Sequence, residues 1–153
     1  MVDAGRTDIG KGMIAGLAAT VVLSLLMLMK AAIGFMPELD IVGMLSRMMG
    51  SPGTPAVGWA AHFFIGVVVY GGLMALLDPR LPGGTHTVRG IMLGLLGWLL
   101  MMVAVMPMVG AGLFALNLGI MAPIMTLILH VIFGAVLGWT YGRLLHRAGH
   151  AHA

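Results

Sequence analysis

Two histidines in this chain share a spacing that occurs twice. Pro55 is followed seven residues later by His62 and four after that by Gly66; Pro123 is followed in the same way by His130 and Gly134. Both copies lie in long apolar runs, so these imidazoles are the ionisable side chains set deepest among apolar neighbours. Three uses compete for such a pair. In the structural use, neutral rings hydrogen-bond across helices, to each other, to Thr126, to Tyr70 or to a carbonyl, at about 0.6 kcal/mol per contact, and fix helix register. In the second, the rings ligate a metal ion or the two axial positions of a haem b held between facing helices. In the third, they line a polar path for protons or a small solute.

The residues around the histidines bear on all three. Gly58, His62, Gly66 and Tyr70 recur every fourth residue, as do Thr126, His130, Gly134, Gly138 and Gly142. Residues four apart share a helix face, and small residues at that spacing let helix backbones approach closely in lipid. These stripes therefore read as helix-packing faces that carry the histidines inward. The same glycines also leave room for a porphyrin, so they do not separate packing from ligation.

No other catalytic constellation accompanies them. The chain has no cysteine, which excludes disulfides, thiolate metal sites and thiol nucleophiles. A nucleophile elbow, a phosphate loop, paired carboxylates and an HExxH helix are all missing, which argues against an enzyme. No acidic residue lies within the apolar runs, which weakens proton relay and cation transport. Of the 16 methionines, Met36, Met44, Met48, Met49, Met106 and Met108 fall toward one side of the membrane, and thioethers favour Cu(I). Methionine is also a flexible apolar filler, and the others are spread along the runs. The tail histidines His146, His150 and His152 form a weak metal-binding tract or a solvated end.

Elements that position these residues follow from composition. With 60% hydrophobic and 8% charged residues in 153, the chain departs from soluble domains, where about 25% are charged. At about 20 apolar residues per span, it holds four spans and no sizeable soluble domain. The eight Lys and Arg are scattered at helix ends, with no basic stripe of the kind that binds nucleic acid. Spans are expected at about residues 11–30, 56–77, 89–106 and 123–145. Pro37 to Asp40 closes the first; Pro55 and Pro123 suit the first turns of the second and fourth. Between the first two spans, Ile41, Met44, Leu45 and Met48 form one face of a helix too short to cross, predicted to lie in the interface plane behind an Asp40 cap. Gly110 to Gly119 is a connection without charge, with Asn117 as its one polar side chain, and is expected to be buried against protein or to dip into the membrane.

Orientation follows from the basic residues. Arg6, Lys11, Arg80, Arg89, Arg143 and Arg147 fall on the side of the termini, and Lys30 and Arg47 on the other. The positive-inside rule then places both termini in the cytoplasm. An internal repeat is also suggested. Lys11-Gly12 and Gly16 open the first span as Arg89-Gly90 and Gly94 open the third, an offset of 78, while the histidine spacing relates the second and fourth at 68. Two like hairpins related by an axis along the membrane normal would give this pattern.

Ala15-Gly16 with Thr20, Gly58-Trp59-x-x-His62-Phe63-x-x-Gly66, Arg89-Gly90, and Ala122-Pro123 with His130 and Gly134 resemble a group of small bacterial four-span membrane proteins classed as a domain of unknown function. The resemblance covers about residues 11–142. It implies the fold and a plasma-membrane location, and no activity.

The expectation is thus a single all-α integral membrane domain, a four-helix bundle of two repeated hairpins with a short interfacial helix between helices 1 and 2. Its function is read as a non-enzymatic accessory subunit or homo-oligomeric packing module in the lipid bilayer of the bacterial inner membrane. Its partners would be other membrane chains or itself. A bis-histidine haem or metal binder, or a conduit, are the alternatives.

Overall fold

Helices begin and end where the sequence supplies caps and breakers. A computed structural model describes residues 7–150, with side chains through 146. Arg6, His152 and the side chains of Arg147 and His150 lie outside what it describes. Among the described residues there are five α-helices, α1 (Ile9–Ala32), α2 (Ile41–Met48), α3 (Pro55–Leu77), α4 (His86–Met108) and α5 (Met121–His150), with a kinked 3-10 stretch, Leu113–Leu118, between the last two. Asp8 caps α1 by accepting from the Lys11 N–H at 3.0 Å, and Asp40 caps α2 by accepting from the Gly43 N–H at 2.9 Å. Thr85 accepts from the Val88 N–H at 3.2 Å, so α4 starts at His86, a turn before the sequence-based estimate. At the other end of α1, the Lys30 ammonium donates to the Phe35 and Met36 carbonyls at 3.0 and 2.8 Å and ties down the turn into α2.

The helices α1, α3, α4 and α5 are each long and apolar enough to cross a membrane. α1 packs against both α3 and α5, and α5 packs along the length of α4. α3 and α4 approach one another mainly through Tyr70, whose hydroxyl end lies against Gly97. The contacts within each pair are made at backbone distance. A Cβ on Gly12 would fall on the Gly71 carbonyl oxygen, and one on Gly71 on that of Gly12. Gly16 meets the Gly66 carbonyl in the same way, Gly90 and Gly134 meet each other's carbonyls, and Gly94 meets that of His130. No larger residue fits at these positions without parting the helices.

α3 departs from regular winding. Residues Phe64–Tyr70 form a π-helical stretch, and the positions facing α1 are His62, Gly66, Gly71 and Ala75. The step from Gly66 to Gly71 is five residues, not four. Tyr70, expected on the stripe of Gly58, His62 and Gly66, is thereby turned off it toward α5 and α4. Its ring meets Phe133 edge-on at 5.0 Å between centroids. Gly58 also faces a different neighbour: it meets the Val42 carbonyl and Ser46 on α2. A second π-helical stretch, Met101–Val105, precedes Pro107 in α4, where a regular turn would press the proline ring on the carbonyl four residues back.

α2 is wedged into the bundle. Val42 and Ser46 face α3, and Leu39 and Met44 join Met102 and Met106 of α4 in a core at this end. The residues buried within the chain are Val42, Met44 and Ser46, and Met48, on the apolar face with Ile41, Met44 and Leu45, is exposed. Ser46 is accommodated because its hydroxyl donates to the Thr54 carbonyl at 2.9 Å. The connection after α4 is folded onto the same core by Ala111, Ala115 and Ala122, all buried. Phe114 and Ala115 adopt left-handed backbone angles there, at φ 54° and 56°. A second core, toward the termini, joins Ala15 and Ala19 of α1 to Met74 of α3, Leu93 of α4 and Phe133, Leu137 and Tyr141 of α5.

These contacts give a direct test. Gly90→Ala should lower the unfolding free energy in mild detergent by about 1–3 kcal/mol, the usual cost of overpacking. Gly72→Ala, at a site with nothing within 4 Å of the new methyl, should leave it unchanged or raise it.

Candidate functional site

His62 and His130 are held by different partners. A ladder of hydroxyls runs along α1: Thr20 donates to the Gly16 carbonyl at 2.7 Å and Ser24 to the Thr20 carbonyl at 2.7 Å. Ser24 Oγ also lies 3.1 Å from His62 Nε2. A serine hydroxyl has one proton, and that proton is directed at Thr20, so His62 Nε2–H must donate to Ser24. His62 is buried, and its ring is boxed by edge contacts with Trp59 and Phe63.

His130 is partly buried on α5, and its Nδ1 lies 2.8 Å from the Thr126 carbonyl of its own helix. A carbonyl only accepts, so Nδ1 carries the proton and Nε2 keeps its lone pair. The two rings thus show opposite faces: His62 offers Nδ1 as its uncommitted nitrogen and His130 offers Nε2. Among the described residues no ring contact joins them, and no group of three or more His, Asp or Glu side chains could hold a metal ion. His130 has the arrangement usual for a metal or haem ligand, with its other nitrogen donating to a carbonyl. His62 would have to release Ser24 to present the same nitrogen.

The remaining stripe residues pair α5 with α4. Gly134 meets the Gly90 carbonyl, Gly138 that of His86, and Gly142 lies under the His86 ring. Thr126 is buried, donates to the Ala122 carbonyl at 2.8 Å, and lies 3.2 Å from Trp98 Nε1. That indole N–H also reaches the Pro123 carbonyl at 3.2 Å, pinning α4 to the first turn of α5.

Sequence reasoning missed a polar cluster at the terminal end. Asp78, only 4% exposed, lies 2.8 Å from His86 Nδ1 and accepts from Arg89 Nη1 at 3.2 Å. Arg89 Nε also donates to the Gly83 carbonyl at 3.1 Å. The His86 ring meets Tyr141 edge-on at 6.0 Å and His146 at 6.3 Å. One carboxylate therefore closes the α3–α4 turn from both sides, and His86 carries that tie onto α5. The signal was present: Asp78 is the one acidic residue in a connection otherwise basic, and a turn that short returns the chain beside it.

Two substitutions separate these interactions. Asp78→Ala, which strands Arg89 and His86 beside a void, should cost about 1.5–3 kcal/mol in detergent unfolding. Ser24→Ala should cost about 0.6 kcal/mol, because His62 keeps its aromatic box.

The chain matches the family of unknown function DUF6789 over residues 6–152, and it belongs to that family. No curated protein and no solved structure matches it. It is a multi-pass membrane protein of that family.

Proposed function

We propose that this DUF6789 member is a non-enzymatic membrane module that works by docking, as an accessory subunit of a membrane complex or as a homo-oligomer. The observation that carries this reading is the connection between α4 and α5. Its alanines face the core, while Leu113, Leu116 and Ile120 point away from it and are more than half exposed. This stretch is irregular, with Gly110, Gly112 and Gly119 at positive φ in addition to Phe114 and Ala115. Hydrocarbon does not tolerate such backbone unless protein covers it, and water disfavours so contiguous an apolar surface. A second polypeptide satisfies both. The glycine stripes support the same division of labour: they are used up inside the chain, so the outer connection is the surface left for a partner.

The basic residues favour a bacterial plasma-membrane orientation with both termini cytoplasmic. Lys11, Arg80, Arg89 and Arg143 lie toward the terminal end and Lys30 and Arg47 toward the α2 end. A duplicated hairpin is supported by the matching contacts of Gly16 on Gly66 and Gly90 on Gly134. This pairing gives offsets of 74 and 68, one helical turn from the alignment of Gly12 and Gly16 with Gly90 and Gly94.

A second reading, ligation of a haem b or metal ion by His62 and His130, draws on the free Nε2 of His130. Its weak point is the commitment of His62 to Ser24.

Mass measurement in mild detergent tests the first reading: the protein should run as a complex larger than one chain. Leu113→Glu with Leu116→Glu should dissociate it by at least about tenfold, about 1.4 kcal/mol, without loss of helicity. A monomer free of any partner would overturn it. An absorption spectrum of fresh protein decides the haem form of the second reading, for which we expect no Soret band, and a metal measurement on the His62→Ala, His130→Ala variant against wild type decides the metal form.

A further inference from the structure

We propose that the core at the α2 end is a binding site for Cu(I), built from methionine thioethers. The two hydrophobic cores of this chain are alike in size and unlike in chemistry. Toward the termini, the core and the residues packed on it include six leucines and a single methionine, Met74. At the α2 end the proportion reverses: Met36, Met44, Met101, Met102, Met106 and Met125 share one cluster with two leucines. If methionine served only as filler, both cores would draw on it alike, because both are assembled from the same apolar helices. The sulfurs are concentrated where three separate elements meet, namely the turn into α2 and α2 itself, the far end of α4, and the start of α5.

The donor set suits a soft monovalent ion. Thioethers bind Cu(I) without losing a proton, whereas hard and borderline divalent ions prefer carboxylate, imidazole or thiolate. Met102 and Met106 are sealed from the surface, Met44 is 6% exposed, and Met36 is partly buried in the turn into α2. At Met102 the Thr126 hydroxyl lies 3.9 Å from Sδ, a long and weak contact beside its 2.8 Å bond to the Ala122 carbonyl. Trp98 and Phe114 belong to the same cluster, their rings 5.8 Å apart. Glu38 and Asp40, both exposed, flank buried Leu39 and offset the charges of Lys30 and Arg47 at this end. Binding is ligand exchange alone: the ion leaves the ligands under which it arrives, and no oxidation state changes.

The probe is Cu(I), kept reduced without oxygen, with Ag(I) as a redox-inert surrogate, titrated into the full chain in detergent against a chromophoric Cu(I) chelator. The wild type should bind one ion per chain. Met44→Leu, Met102→Leu and Met106→Leu conserve volume and should fold, at a cost below about 1.5 kcal/mol. Each should weaken binding at least about tenfold, equivalent to about 1.4 kcal/mol. Met74→Leu in the other core and Met108→Leu on the surface should bind as the wild type does. X-ray absorption of the loaded protein should show sulfur as the nearest neighbours of the metal. Failure of the wild type to bind stoichiometrically would overturn the proposal. So would equal losses at Met74, or a nitrogen shell, which would point to histidines.

Discussion

Backbone-to-backbone contact at glycine is the constraint on which this structure depends. Inside a bilayer, apolar side chains gain little by turning from lipid to one another, so helices associate through close approach and through the few polar groups they share. Here the approach is made at Gly12 and Gly71 and at Gly90 and Gly134, each opposite the other's carbonyl, and at Gly16, opposite that of Gly66, which itself lies against the Thr20 side chain. Side-chain packing then fills what remains. Tyr70 spans from α3 to Gly97 of α4, and α2 packs against α3 and α4 at the far end.

Much of this was legible in the sequence because the rules of the bilayer are severe. Four apolar runs, bounded by Pro37, Pro55, Asp78 and Pro107, could become only spanning helices, and the Asp40 cap announced α2. What escaped were features set by tertiary context. A uniform period of 3.6 places Tyr70 on the face of His62 and Gly66, and nothing local in Phe64–Tyr70 signals the wider π turn. The face that α2 turns to the bundle includes Ser46, which hydrophobicity alone would not select, because the closeness of Gly58 and the Thr54 carbonyl favours the serine. In the sequence Asp78 merely follows the last apolar residue of the second run. Its partners come from the next helix, so its burial shows only when the short basic connection is seen to return the chain beside it.

The histidines illustrate how a repeated spacing and a shared environment differ. His62 and His130 occupy like positions after like prolines, yet one donates across to α1 and the other back to its own helix. The difference lies in the neighbour. α1 brings a serine to His62, whereas His130 binds the carbonyl one turn back on α5. Spacing sets which face a ring occupies; the opposing helix sets which nitrogen it uses.

The π-helical stretch in α3 has a further consequence for how this span tolerates change in length. A five-residue step means that the helix carries one residue more than regular winding needs between Gly66 and Gly71. Each residue turns an α-helix by about 100°. Loss of one residue among Val67, Val68 and Val69 would let the stretch tighten to ordinary winding and keep both glycines facing α1. A deletion, ruinous in most membrane spans because it rotates everything beyond it, is here absorbed by slack already present.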